Sequence, residues 1–333
     1  MKRLRNFIGM LVFIMLVALL VVFYVQPKEP SSPQPTAFVT PGVIHPSAMP
    51  QSISGGPIVY SGEPVLSPPK SVSYYGVSRH RDFETERARL FALYNITTPP
   101  DTVIGSKGRY ASFSKNGKSG IISENPLTFT FQTVLAPKKL VTNNVNKLLT
   151  ITTSSLTEHS VLPAAFSPVL STQKFFAFDE PHPTELDGPE NALVTKLDFV
   201  VTVDGLPVFV NDADTSVFSA SFNGDDELVE LRGFLLPDVS KGEQGFAIIS
   251  YEEAVRRLKS NTGIFSSVSL TSSGDKDFMT GDLPVSIQIE KAVLGYFYSP
   301  LQEYLVPVFV FSGTAQEPGE KAVLRTTTVV SAL

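Results

Sequence analysis

The sequence contains no cysteine. Disulfides, thiolate metal sites, cysteine nucleophiles and a lipid-modified N-terminal cysteine are therefore excluded. Tryptophan is absent as well, and charged residues make up only 18%, below the roughly 25% of an ordinary globular chain. The formal charge is −5. It becomes more negative beyond the N-terminal stretch, which holds Lys2, Arg3 and Arg5 and no acid. No cluster of Lys and Arg follows, so nucleic acid is not an expected partner.

Motifs of catalysis are scarce too. There is no G-x-S-x-G and no H-E-x-x-H, so neither the usual nucleophile elbow nor a zincin helix is present. "NGKSG" (116–120) contains Gly-Lys-Ser, but Ser112 stands where a phosphate-binding loop needs its first glycine. The histidines, His45, His80, His159 and His182, are isolated from one another and read as surface residues. Asp179, Glu180, Glu185, Asp187 and Glu190 lie in one acidic stretch (178–191), and Asp212 and Asp214 in another (211–216). Neither has EF-hand spacing, so both read as solvated loops rather than calcium sites. Asn95-Ile96-Thr97 matches a glycosylation sequon, which matters only in a eukaryotic secretory pathway. No catalytic, cofactor-binding or metal residue is assigned, and no cofactor is expected.

What the chain does have is length and apolar content: 333 residues, 42% of them hydrophobic. That is enough for one large or two ordinary domains with proper cores. Phe7 to Val25, "FIGMLVFIMLVALLVVFYV", carries no charge. As a helix it is about 28 Å long, close to the thickness of a bilayer's hydrocarbon core. Lys2, Arg3 and Arg5 precede it, so the positive-inside rule predicts a cytoplasmic tail (1–6), an anchor (7–25) and an extracytoplasmic remainder. A cleaved signal peptide fits less well, because the run ends in Phe23, Tyr24, Val25 and Gln26 with no small-x-small site.

Residues 26–72 hold 11 of the 26 prolines. This mix of Pro, Ser and Gly predicts an extended spacer, with local docking of short apolar bits such as "GPIVY" (56–60). Beyond it the pattern reads as three blocks, each a helix followed by strands, divided into a first unit (73–136) and a larger region (137–333). The first block has a helix over 82–96, with Phe83, Leu90, Phe91 and Tyr94 on one face interrupted by Arg87, then strands at 108–114, 119–123 and 127–135. Asn116-Gly117 marks a hairpin. The second has a helix over 138–156, a strand at 172–180, and hairpins around Asp204-Gly205 and Asn223-Gly224.

The third opens with "SYEEAVRRLKS" (250–260), where Ser250 and Glu253 make a capping box. Tyr251, Ala254, Val255 and Leu258 form the apolar stripe. Glu252 with Arg256, and Glu253 with Arg257, are i,i+4 pairs. A long strand over 285–299 slips phase near Glu290-Lys291, which predicts a bulge. In "YLVPVFVFSG" (304–313) both faces are apolar, so both are covered. Pro307 inside it marks a place where one side of the strand lacks a ladder partner. A last strand lies at 322–330.

"ISYEEAVRRLKSNTG", followed by "IQIEKAVLGYFYSPLQEYLVPVFVFSG", resembles the C-terminal region of YycH/YycI-type bacterial regulatory proteins, and the helix-plus-sheet unit resembles PepSY modules. "LDFVVTVDGLPVF" is consistent with the same group. The resemblance spans residues 195–330. It implies an α+β fold of antiparallel sheets, each packed with helices in repeated helix-plus-meander units, after one N-terminal transmembrane helix. It also implies action on a sensor kinase. The expectation is a non-catalytic, single-pass, extracytoplasmic protein that binds or regulates cell-envelope partners. An envelope hydrolase or a PepSY-type peptidase inhibitor is the alternative.

Overall fold

The computed structural model describes residues 59–333 apart from 63, 65, 94–101, 106–107, 134–138, 143, 159–160, 178–182, 211–215, 261–263, 272–285, 301 and 317–322. In chain order, β1 (Val59–Ser61) and β2 (Ser71–Arg79) precede α1 (Phe83–Leu93). Next come β3 (Val103–Gly105), β4 (Gly108–Lys115), β5 (Lys118–Ser123), β6 (Thr128–Thr133) and α2 (Val145–Glu158). The middle is β7 (Ser167–Ala177), β8 (Thr184–Leu186), β9 (Val194–Val203), β10 (Leu206–Val210), β11 (Phe218–Asn223), β12 (Leu228–Phe234) and β13 (Asp238–Ala247). The chain then runs through α3 (Tyr251–Lys259), β14 (Ile264–Thr271), β15 (Ser286–Tyr298), β16 (Val306–Gln316) and β17 (Val323–Ser331).

The strands do not close into separate units. They form one 15-stranded mixed sheet whose main path is β14-β17-β16-β15-β10-β9-β11-β12-β6-β5-β4-β3, plus a two-stranded ribbon, β13-β2. The expected α+β repeat of helix-plus-meander, PepSY-like units is therefore corrected to a mainly β architecture with three short helices among the described residues. The physical reason is edge pairing. A meander ending in β6 leaves an open edge, and β12 closes it, with Leu231 opposite Phe131. The next junction is parallel: Val208 of β10 faces Tyr296 of β15. Unpaired buried N–H and C=O groups are costly, so the strands of the three blocks zip together across their boundaries.

The membrane reading is corrected as well. Among the described residues no helix is long and apolar enough to cross a membrane. The stretch from Phe7 to Val25, with Lys2, Arg3 and Arg5 before it, lies outside the described residues. The single-pass, extracytoplasmic placement accordingly gains no support from the described residues. Part of the expected spacer is strand instead. β1 pairs in parallel with β15, Tyr60 opposite Ile287, and Tyr60 is buried.

Local signals translate directly into geometry. Asn116 and Gly117 both have positive φ (52° and 72°), as do Asp204 and Gly205 (48° and 77°). These pairs turn the β4–β5 and β9–β10 hairpins, as the primed turn types require. Asn223-Gly224 works differently. The positive φ falls on Asp226 (59°), and the Asn223 side-chain oxygen accepts the N–H groups of Asp225 and Glu227, each at 3.0 Å. Gly224 is needed for closeness, since a Cβ there would stand 2.1 Å from the Lys139 carbonyl oxygen.

At the α3 start, Ser250 Oγ accepts the Glu253 N–H at 3.2 Å. Glu253 then turns to Arg256 (2.7 Å) and Arg257 (3.2 Å), so the anticipated pairing of Glu252 with Arg256 gives way to an i,i+3 pair. Ala254 and Leu258 are buried. The bulge in β15 falls between Ile289 and Lys291 against β16.

The core runs along β15, β16 and β9. Tyr296, Phe297, Phe309, Phe311, Phe199 and Phe218 are fully buried, each contributing about 1.5–3 kcal/mol by leaving water. β16 is buried on both faces from Val306 to Phe311. The ribbon docks on this core through β2: Leu305 donates to the Tyr75 carbonyl at 2.9 Å and Val77 to the Glu303 carbonyl at 2.7 Å. Tyr74, Phe246 and Tyr304 pack together above the joint.

Candidate functional site

A cleft of about 240 Å³ opens where the end of β2 passes into α1. His80, Arg81, Asp82 and Phe83 form one side, and Arg109 at the start of β4 another. The turn from β5 to β6 supplies Glu124, Asn125, Pro126 and Leu127. The ends of β10, β12 and β15 close the floor with Val210, Phe234, Leu235 and Tyr298. The Asn125–Pro126 peptide is cis. The Leu235 N–H binds the Leu127 carbonyl at 3.0 Å and joins two of these walls.

Charged groups around the cleft are held in pairs. Asp82 caps α1, accepting the Thr85 N–H at 2.9 Å, and hydrogen bonding to the Thr85 side chain and then to its main chain holds the Asp82 carboxyl below the usual range. Arg109 forks onto Glu124, Nε to Oε2 at 3.0 Å and Nη2 to Oε1 at 2.6 Å, and reaches Glu84 at 3.0 Å. Its guanidinium also lies 5.0 Å from the centre of the Phe83 ring. The hydrogen bonds from Arg109 hold the Glu124 carboxyl down.

Deeper in, the Arg81 side chain is 8% exposed and that of Glu86 6%, and they pair at 3.3 Å. Glu86 also accepts from Arg89, and Asp238 lies 3.7 Å from Arg81. Burial lowers the Arg81 pKa, and Glu86 acts against that shift. Tyr298, 7% exposed, stands on the floor. Burial pushes its hydroxyl up to about 12, against the influence of Arg81, so it is a neutral phenol at ordinary pH.

A second polar cluster joins the ribbon to the β9–β10 turn. Asp204 Oδ2 accepts from Ser73 Oγ at 3.0 Å and from Lys241 Nζ at 2.5 Å. Burial raises the Asp204 pKa, but bonds from Lys241, Tyr75 and Ser73 outweigh it and leave the carboxyl low. Tyr75 is pushed up by burial and by Asp204. No cavity adjoins this cluster among those described, and its chemistry is that of a joint.

Of the residues weighed from sequence, His80 lies at the cleft, exposed. His45, His159 and His182, Asn95, and the acids Asp179, Glu180, Asp212 and Asp214 fall outside the described residues. Glu185 pairs with Lys174 at 2.9 Å, and no group of three His, Asp or Glu side chains is placed to hold a metal among the described residues. "NGKSG" is the β4–β5 hairpin, not a phosphate loop. Sequence reasoning missed Arg81, Glu86, Arg109, Glu124 and Tyr298. The usable signal was the charge-dense "RHRDFETERAR" (79–89), too rich in both signs for a plain solvated helix start.

No protein-family model matches the chain, and no curated protein matches it in sequence.

Proposed function

We propose that the protein is a non-catalytic binding protein that holds a regulatory partner at the cleft between β2, α1 and the β5–β6 turn. The observation that carries this reading is the pairing of the charges there. Asp82 is committed to a helix cap, Glu124 to Arg109 and Glu86 to two guanidiniums. The Asp82 and Glu124 carboxyls are held below the usual range and so are tuned away from proton transfer near neutral pH. What they frame is an apolar recess of the size that receives one anchoring side chain in a protein interface. From the resemblance over residues 195–330 the reading takes only the class of partner, a regulatory protein such as a sensor kinase.

The absence of cysteine gives a clean test. His80→Cys at the cleft and Lys115→Cys on the β4–β5 hairpin are each labelled with a photo-crosslinker in the full chain and irradiated in cells. A specific partner trapped from position 80 and not from 115 supports the reading. Equal trapping from both positions, or none from 80, removes it.

A further inference from the structure

A second recess, of about 370 Å³, lies on one face of the sheet where β6, β12 and β11 run side by side. Small-molecule sites span roughly 300–1,000 Å³. The strand register explains the lining. Arg232 of β12 stands between Thr130 of β6 and Ser219 of β11, and Phe234 stands opposite Thr128. Residues directly opposed, and those two positions along a strand, share a face. Arg232, Thr130, Thr128, Phe234 and Ser219 therefore project to one side, and all five line the recess with Ser216.

Arg232 is anchored without being used up. Its Nε donates to Ser219 Oγ at 2.8 Å, and Ser219 is buried. The side chain is otherwise exposed, and its Nη groups make no ion pair or hydrogen bond among the described residues. The Thr128 and Thr130 hydroxyls are likewise not engaged among the described residues.

No carboxylate lines the recess. The acids on the same face are engaged elsewhere. Asp198, opposite Ser219, accepts from Thr172 at 3.1 Å and pairs with Lys196 at 3.2 Å. Glu230 accepts from Gln132 at 3.2 Å and from Ser221 at 3.1 Å. Ser216 turns to Asp198, donating at 3.5 Å, and adds little. One guanidinium and two hydroxyls remain, beside the Phe234 ring. Two Nη groups and two hydroxyls are four donor atoms. A carboxylate has two oxygens for them, whereas a tetrahedral oxyanion has three, and the planar arginine fork suits it.

We infer that this recess binds a sulfate or phosphate ester carried on one small ring, the oxyanion accepting from Arg232, Thr128 and Thr130 and the ring lying against Phe234. The site is additional to the partner cleft and does not depend on it. The single charge of Arg232 matches the one charge of a sulfate ester more closely than the nearly two of a phosphate ester at neutral pH.

The test is calorimetric titration of the full chain with glucose 6-sulfate, glucose 6-phosphate, glucuronate and glucose. The two esters bind. Glucose binds at least about tenfold more weakly, and planar glucuronate about threefold more weakly. Arg232→Gln weakens ester binding at least about tenfold, and Thr130→Val about three- to tenfold. Neither residue belongs to the core, so Tm stays within a few degrees in both variants. Lys115→Gln, an exposed charge on the β4–β5 hairpin, leaves the affinities unchanged.

Sulfate binding at least as tight as phosphate assigns the site to sulfated ligands. Tighter phosphate binding assigns it to phosphorylated ones. Glucose or glucuronate binding as well as the esters, no ester binding, or Arg232→Gln no weaker than Lys115→Gln overturns the inference. Asp212 and Asp214 precede Ser216 in the sequence, so the double variant Asp212→Asn, Asp214→Asn is titrated too. Ester binding seen only in that variant gives Arg232 to the chain's own acids and also overturns the inference. None of these failures touches the crosslinking test of the partner cleft.

Discussion

The Ala332 N–H donates to the Pro307 carbonyl at 3.0 Å, and the return bond that a proline cannot make is replaced by one from Ile249, whose N–H reaches the Ala332 carbonyl at 2.8 Å. Pro307 thus sits inside a strand buried on both faces without leaving an orphan acceptor. The missing donor is the place where the segment leading into α3 attaches. Arg257 of α3 fastens the same region, donating to the Leu333 main-chain oxygen at 2.7 Å.

Replacing Pro307 with alanine gains no hydrogen bond, because the acceptor it would use is already occupied. The expected effect is a loss of about 0.5–1 kcal/mol from the greater freedom of the unfolded chain. Urea denaturation measures it. A gain in stability would mean that the Ala332 carbonyl is shared.

Two tyrosines two residues apart on β15 contrast in their expected hydroxyl contributions. Tyr296 donates to the Ser73 carbonyl at 2.8 Å, so Tyr296→Phe costs about 1 kcal/mol. Tyr298→Phe changes stability by less than about 0.5 kcal/mol. Thermal unfolding of the two variants side by side checks the contrast.

Glu86→Gln removes the carboxylate that Arg81 and Arg89 share. With both members of the Arg81–Glu86 pair more than nine-tenths buried, the expected loss is about 3 kcal/mol. Asp238→Asn, half in solvent, costs under about 1 kcal/mol. Denaturant midpoints distinguish the two.

Much of the local structure was legible from these residues, and the architecture was not. Asn116-Gly117, Asp204-Gly205, the Ser250 cap and the slip at Glu290-Lys291 are signals contained in a few neighbouring positions, and each has its expected geometry. Pairing between distant edges has no such local code. Nothing in "LTFTFQT" says that β6 will meet β12, or in "LPVFV" that β10 will run parallel to β15. Hydrophobic alternation reports which face is buried, not which strand lies alongside, and the helix-plus-meander expectation failed there. The cleft was hidden for a related reason. Glu86 reads as an exposed helix residue until β2 brings Arg81 over it, and Tyr298 reads as one more core aromatic.

Stability should fall on the acid side through two carboxyls with depressed pKa values, Asp204 and Glu253. The Asp204 carboxyl is held low by Lys241, Tyr75 and Ser73 against burial. Glu253 is held near about 2, chiefly by hydrogen bonding to Arg256. A lowered folded-state pKa adds stability that is complete above the unfolded value, near 4 for these acids, and is lost as pH falls through the folded value. The loss therefore belongs to the range from about pH 4 downward. Asp204→Asn flattens part of that dependence and loosens the ribbon. Urea midpoints at pH 7 and pH 3 in both proteins report it, and identical slopes would remove Asp204 from the account.

The central claim, that the cleft beside Arg81 and Tyr298 is where this protein engages its partner, meets its most direct test in crosslinking yield from His80→Cys with and without Leu127→Phe. The account predicts that filling the recess removes the trapped partner while the melting temperature stays within a few degrees. An undiminished yield from the filled cleft would contradict it.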